Sequence, residues 1–129
     1  VVDLVSRTRG IVDDWDVTNE TEGNRQYMDI LGRDEMLEWY RLARRTDPKV
    51  KLTFNEPSFG VGGMEAGSWK NLPGENYRGW VDFLVKKGAP LDHLGAQTHG
   101  GFTGVGKNGG PESVWKFYDE QFARYGKKL

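Results

Sequence analysis

Three short stretches place amide, carboxylate or imidazole side chains where a predicted strand ends. They are Asn19-Glu20, Asn55-Glu56 and Gln97-Thr98-His99. Carboxylates serve general acid/base chemistry, and amides bind hydroxyl groups. Because the carboxyl ends of parallel strands meet at one edge of a sheet, we interpret the three stretches together as a carbohydrate site.

Alternating helices and strands are predicted to position these side chains. Apolar residues at helical spacing predict helices near residues 1–9, 34–45, 75–87 and 111–125. Short β-prone stretches predict strands near residues 11–17, 51–54 and 93–98. Strict alternation favours parallel strands joined by crossover helices, which is an α/β architecture.

The connections that follow the predicted strands are long and rich in glycine. They run from Thr21 to Arg33, from Pro57 to Gly74 and from Gly100 to Gly110. The connections from helix back to strand are short. Since the carboxyl ends of parallel strands form the functional face of such folds, these long loops are expected to bind substrate.

Composition excludes several classes of partner and site. Eighteen Lys and Arg against 19 Asp and Glu leave a net charge of −1, so no basic footprint for nucleic acid or an anionic membrane is present. The absence of Cys excludes disulfides, thiolate metal sites and a cysteine nucleophile. No apolar run reaches the length of a membrane span, and the first residues do not have the pattern of a signal peptide, so we expect neither within these residues.

One strand-terminal motif leads to a family. Residues 15–20, Trp-Asp-Val-Thr-Asn-Glu, resemble the Trp-Asp-Val-Val-Asn-Glu motif of glycoside hydrolase family 10, the retaining endo-β-1,4-xylanases. Residues 47–56 and 88–99 resemble the next two strand regions of that family, in order and at compatible spacing. The resemblance implies a partial (β/α)8 TIM barrel of about half its length, from about the third helix to the sixth.

The resemblance also implies roles for four residues. Glu20 would be the general acid/base, which protonates the leaving glycosidic oxygen and then activates water. Asn19 would bind the sugar 2-hydroxyl, and Gln97 and His99 would lie beside the nucleophile. Asn55 ends the following strand and is expected to bind substrate as well.

Other polar and aromatic residues have different expected roles. Trp69 lies in a long loop of the functional face and is a candidate for stacking on a sugar ring. Trp15 is expected to pack in the barrel, and His93 to be structural. We expect no cofactor and no metal, because His93 and His99 do not have the spacing of a standard ligand motif.

The second carboxylate of a retaining glycosidase is missing from the expected set. By resemblance it ends the seventh strand, so we expect the nucleophile outside this chain and the isolated 129-residue chain to be inactive. The remainder of the barrel would lie on the same longer chain or on another subunit. Xylan or a related β-1,4-glycan is the expected substrate, and the family implies secretion.

Two alternatives remain open from the sequence. The chain could belong to a non-catalytic or split-barrel relative that binds β-glycan without hydrolysing it. Residues 53–57, Thr-Phe-Asn-Glu-Pro, also resemble the acid/base motif of family 1 β-glucosidases, which would make Glu56 the general acid. Family 10 usually has Asp and Tyr where this sequence has Glu56 and Pro57.

Overall fold

The chain forms a three-stranded parallel sheet flanked by helices. The structure is a computed structural model that describes residues 1–21, 24–56, 77–97, 119 and 123–126. Its elements, in chain order, are α1 (Val2–Thr8), β1 (Asp14–Asn19), α2 (Gln26–Leu31), α3 (Arg33–Thr46), β2 (Lys51–Glu56), α4 (Tyr77–Lys86) and β3 (His93–Ala96). The predicted helix at 111–125 lies mostly outside the described residues.

The strands are ordered β1-β2-β3, and both neighbouring pairs are parallel. Asn19 is in register with Asn55, and Asn55 with Gly95, so the three strands end at one edge of the sheet. A register shift between Asp16 and Thr18 inserts a bulge into β1. Bulges of this kind re-aim side chains near the end of a strand.

The outer face of the sheet carries the hydrophobic core. Leu52, Phe54 and Leu94 point from the strands into this core, where they are fully buried. Helices α3 and α4 supply the other side of the core with Met36, Tyr40, Ala43, Trp80, Val81 and Leu84. Each Leu or Phe buried in this way contributes about 1.5–3 kcal/mol, so the helices hold the sheet in a fixed position.

Local sequence explains the bounds of α3 and α4. Gly32, with φ 90°, precedes α3, and acidic residues occupy the first turn while basic residues occupy the last. This charge order complements the helix dipole. Pro48 prevents α3 from continuing. Gly88, two residues beyond α4, has a φ of 69°, the left-handed conformation that commonly follows the end of a helix.

Strand β1 differs from its prediction. It begins at Asp14 rather than at residue 11 and continues to Asn19, while Ile11 is 79% exposed in the preceding turn. The sequence favoured an earlier start because the apolar pair Ile11-Val12 precedes the strand. Within β1 the exposed Asp14 and Asp16 alternate with the half-buried Trp15 and Val17, which pack against the core.

The connection from Thr21 to Arg33 was predicted as a loop but contains helix α2. Only Met28 of α2 is buried, and Ile30 and Leu31 are exposed. The sequence therefore lacks the apolar stripe from which this helix could have been predicted. No helix in the described part of the chain is long and apolar enough to cross a membrane.

Candidate active site

The face of the sheet opposite the helices is polar. A groove of about 580 Å³ opens on it, lined in part by Asp14, Asp16, Thr53 and His93. The Asp14 carboxylate accepts a hydrogen bond from the Thr53 hydroxyl and lies 2.6 Å from His93 Nδ1. His93 therefore ties β3 to β1 across β2. The described residues include no cluster of three His, Asp or Glu side chains suited to a metal ion.

Above this groove, four side chains from all three strand ends form a continuous hydrogen-bonded row, which we call the amide ladder: Asp16, Asn55, Asn19 and Gln97. Asn55 Nδ2 donates to Asp16 Oδ2 at 3.1 Å and to Asn19 Oδ1 at 3.0 Å. Gln97 Nε2 donates to the same Asn19 oxygen at 2.8 Å. Three of the predicted substrate-binding residues are thus in direct contact.

The carboxylate of Asp16 sets the orientation of the other three ladder members. An ionised carboxylate only accepts hydrogen bonds, so Asn55 must turn its NH₂ group towards Asp16. The second hydrogen of that NH₂ group is donated to Asn19 Oδ1. The Asn19 oxygen therefore faces the ladder, where it also accepts a hydrogen bond from Gln97 Nε2. The NH₂ group of Asn19 makes no hydrogen bond to the described residues and is free to donate to a ligand.

Three effects act on the pKa of Asp16, two that raise it and one that lowers it. Partial burial raises it above the usual range, the hydrogen bond from Asn55 lowers it, and the charge of Asp14 raises it further. The net direction is upward. Burial and the neighbouring Asp14 thus disfavour the charged form of Asp16, and the hydrogen bond from Asn55 favours it.

Close backbone packing supports the ladder from β3. A Cβ atom added at Gly95 would lie 2.9 Å from Asn55 Cγ and would overlap the Asn55 side-chain oxygen. Glycine is required here because the Asn55 amide rests directly on the β3 backbone.

Glu20 lies immediately after the end of β1 in an unusual backbone conformation. Its φ is 55°, in the left-handed region that non-glycine residues rarely adopt and that costs about 1–2 kcal/mol. The Glu20 N–H donates to the Asn55 carbonyl at 3.0 Å, and its carbonyl accepts from Asn24 at 2.8 Å. The half-buried Glu20 is therefore held beside Asn19 by β2 on one side and by its own loop on the other.

Glu56 has a different environment from Glu20. It is the last residue of β2 and is fully buried, with its carboxylate Oε1 accepting the backbone N–H of Thr21 at 2.5 Å. Since successive residues of a strand point to opposite faces, Glu56 lies on the side away from Asn55. The placement gives no support to Glu56 as a general acid.

The remaining predicted site residues divide into two groups. Asn19 contacts both Asn55 and Gln97, and Glu20 follows Asn19 in the chain, with its backbone N–H bound to the Asn55 carbonyl. His99 and Trp69 lie outside the described residues. No role was predicted from the sequence for Asp16, for Gly95 or for the contact made by Glu56. The two-residue period of β3 could have placed Gly95 on the face of Gln97. Asp16 shares the face of Asn19, three residues further on, only because of the bulge in β1, which the sequence does not reveal.

The parallel βα architecture and the row of amides at its strand ends define the class, an α/β barrel segment with a polar site at the carboxyl edge. The family model for glycosyl hydrolase family 10 matches residues 1–125. The chain belongs to this family.

Individual relatives agree with that placement. The chain is 30% identical over 99 residues to "Endo-1,4-beta-xylanase 1" of Arabidopsis thaliana, covering 77% of this chain and 10% of the relative. It superimposes on a GH10 structure from Paenibacillus barcinonensis with a TM-score of 0.70 and 23% identity, covering 98% of this chain and 38% of that one.

A third relative is xylanase 10B from Thermotoga petrophila RKU-1, solved in complex with xylobiose. The TM-score is 0.67 at 23% identity, and the match covers 98% of this chain and 36% of that one. At this identity the structural matches establish the fold, which is a partial (β/α)8 barrel. The chain spans little more than a third of the two solved relatives.

Proposed function

We propose that the chain supplies the general acid/base side of the active site of a retaining endo-β-1,4-xylanase. The observation that carries the proposal is the contact of Asn19 with both Asn55 and Gln97, directly beside Glu20. Family membership and the xylanase names of the relatives supply the substrate class. The substrate is xylan or a related β-1,4-glycan, and the enzyme acts outside the cell.

Glu20 takes part in both steps of the proposed reaction. In the first step its protonated carboxyl gives a proton to the glycosidic oxygen while the nucleophilic carboxylate attacks the anomeric carbon. In the second step the Glu20 carboxylate removes a proton from water, which displaces the enzyme from the sugar. The two carboxyl groups of such a site lie about 5–5.5 Å apart, and we place the nucleophile outside these 129 residues.

Asn19 binds a sugar hydroxyl next to the reacting carbon. The amide ladder holds the Asn19 oxygen through two hydrogen bonds, so its NH₂ group is presented to the substrate in a fixed orientation. A contact that is already oriented costs little entropy when the transition state forms. In the complete site, Trp69 stacks on a sugar ring and His99 orients the nucleophile.

The rest of the barrel comes from the same longer chain or from another subunit. Within the described sheet, β1 and β3 each pair on one side only. A (β/α)8 barrel needs about 250 residues, and closure would pair both of these edges. The groove lined by Asp14 and His93 would then become part of the barrel interior.

The test uses the full-length gene product that contains these residues, with Glu20→Ala compared with the natural enzyme. Xylobiosides with phenyl and with 2,4-dinitrophenyl leaving groups are the substrates. Phenolate needs protonation to leave and dinitrophenolate does not. We therefore expect kcat/KM for the phenyl substrate to fall by about 10²–10⁴-fold, with a much smaller fall for the dinitrophenyl substrate.

The matched control is Glu38→Gln, which removes a surface carboxylate that pairs with Arg41 and Arg45 far from the site. It should leave both substrates unaffected. Equal losses on the two substrates with Glu20→Ala would remove Glu20 from acid catalysis. Xylan binding by the natural full-length product without any hydrolysis would instead favour a non-catalytic relative.

A further inference from the structure

We propose that Glu56 is a positioning residue that holds Glu20 in its working conformation through the backbone of Thr21. The inference rests on the proposed role of Glu20 as the acid/base and adds a second carboxylate to the site. Glu56 itself does not contact the substrate, because it lies on the helix-facing side of β2.

The contact is short and occurs where the loop leaves β1. Glu56 Oε1 accepts the Thr21 N–H at 2.5 Å, and Thr21 is 2% exposed. Thr21 directly follows Glu20, so this bond fixes the peptide unit that joins the two residues. A hydrogen bond from a backbone N–H to an ionised carboxylate is among the stronger kinds in proteins.

Burying the Glu56 carboxylate without a hydrogen-bond partner would cost free energy. Glu56 is 0% exposed and lies beside the hydrophobic core, where a carboxylate is stable only if it is hydrogen-bonded. A leucine of similar size would fill the same space without that requirement. A leucine could not accept a hydrogen bond from the Thr21 N–H.

The conformation of Glu20 explains why such an acceptor is needed. At φ 55° its backbone is strained, and strained residues persist where the surroundings hold them in place. The Glu20 N–H is bound by the Asn55 carbonyl, and the next N–H is bound by the Glu56 carboxylate. Two consecutive residues of β2 therefore fix the two consecutive amides that determine the direction of the Glu20 side chain.

Glu56 also joins this loop to the third strand. Its carbonyl accepts the N–H of Gln97 at 3.1 Å, just beyond the end of β3. One residue thus couples Glu20 at the end of β1 to the ladder member contributed by β3. Loss of the side-chain bond should disturb proton donation more than sugar binding.

Glu56→Leu and Glu56→Gln in the full-length gene product test the proposal. Glutamine keeps an acceptor oxygen for the Thr21 N–H, whereas leucine removes it. We expect Glu56→Leu to lower kcat/KM for the phenyl xylobioside at least tenfold more than for the dinitrophenyl xylobioside, with KM little changed. Glu56→Gln should recover most of that difference.

A destabilised control separates positioning from general loss of structure. Leu84→Ala opens a cavity in the core on α4 and should lower Tm without discriminating between the two leaving groups. Equal losses on both substrates with Glu56→Leu, or no loss, would overturn the proposal. If Glu20→Ala shows the leaving-group effect and Glu56→Leu does not, only the role of Glu56 fails.

The Thr21 backbone amide gives a readout that does not depend on activity or on the folding of the leucine variant. Its NMR proton resonance should lie far downfield in the natural protein, because of the bond to a carboxylate. Glu56→Gln should shift it upfield more than any other backbone amide. An unchanged Thr21 resonance would contradict the inference.

Discussion

Asn19 and Gln97 are joined by a hydrogen bond of 2.8 Å although 78 positions separate them in the sequence. The bond spans the ends of β1 and β3, and the same Asn19 oxygen accepts Asn55 from the intervening strand. The three strand ends are therefore coupled through one atom. A substitution at any ladder position should therefore change the orientation of the Asn19 NH₂ group, which we propose to bind the sugar.

Gly95→Ala should damage the ladder without touching a polar group. The new methyl group would overlap the Asn55 side chain, and such overpacking costs about 1–3 kcal/mol. Displacing Asn55 should also lower kcat/KM on xylan by up to about a hundredfold. Gly88→Ala is the control, since it carries a positive φ but meets no atom within 4 Å. Urea unfolding would measure stability, and xylan hydrolysis would measure activity. Gly95→Ala should lower both, whereas Gly88→Ala should lower stability alone.

Asp16→Asn should have opposite effects on stability and activity. Burial and Asp14 raise the folded-state pKa of Asp16 above its unfolded value, so its charge destabilises the fold above that folded pKa. The Asp16→Asn variant should therefore have a higher free energy of unfolding than the natural protein at pH 7. This added stability should disappear as the pH falls through the folded-state pKa of Asp16 and then through its unfolded-state pKa.

Activity should fall with the same Asp16→Asn change, because a neutral acceptor holds Asn55 less firmly than a carboxylate does. We expect a loss of about three- to tenfold in kcat/KM, as for about 1 kcal/mol of hydrogen-bond energy. Lower stability than the natural protein at pH 7, or unchanged activity, would contradict the assigned role of Asp16.

Tyr40→Phe should weaken the support behind β1. The buried Tyr40 hydroxyl donates to the Thr53 carbonyl at 3.1 Å and lies 2.9 Å from the Thr18 hydroxyl. Its removal leaves both partners buried and should cost about 1–3 kcal/mol. Thr18→Val should therefore cost less in the Tyr40→Phe background than alone, and additive losses in the double-mutant cycle would show that the two hydroxyls are not coupled.

Alkaline pH offers a second measurement on Tyr40. Burial raises the pKa of Tyr40 far above its usual value, with a smaller lowering by Thr18 and further raising by Asp16 and Glu56. An unfolded tyrosine ionises near pH 10, so Tyr40 should make the natural protein lose stability as the pH rises above about 10. Tyr40→Phe should lose less over that range, which unfolding curves at pH 9 and 11 would show.

Much of the site could be predicted because polar residues marked the ends of the strands. Asn19, Asn55 and Gln97 each follow or end a β-prone stretch, and parallel strands bring such residues to one edge. The alternation of helical and strand-like stretches predicted the α/β class and the order of the elements apart from α2, and the family resemblance implied the barrel. Helix α3 was placed closely because its apolar stripe and Pro48 are strong local signals.

Other features depend on tertiary contacts that leave little local signal. The start of β1 was predicted too early because the apolar pair Ile11-Val12 precedes the strand, although Ile11 lies exposed in the turn before it. The positive φ of Glu20 could not be foreseen at a non-glycine residue. It becomes understandable only once Asn55 and Glu56 are seen to bind the flanking amides.

The most direct test of the central claim is to locate the nucleophile in the full-length gene product. A 2-fluoro-xylobioside with a good leaving group would trap the covalent intermediate, and peptide mass spectrometry would identify the labelled carboxylate. We predict that the label lies outside these 129 residues, and that the isolated chain neither takes up label nor hydrolyses xylan. Label on Glu20 or Glu56, or xylan hydrolysis by the isolated chain that Glu20→Gln abolishes, would contradict the division of the two catalytic carboxylates proposed for this barrel.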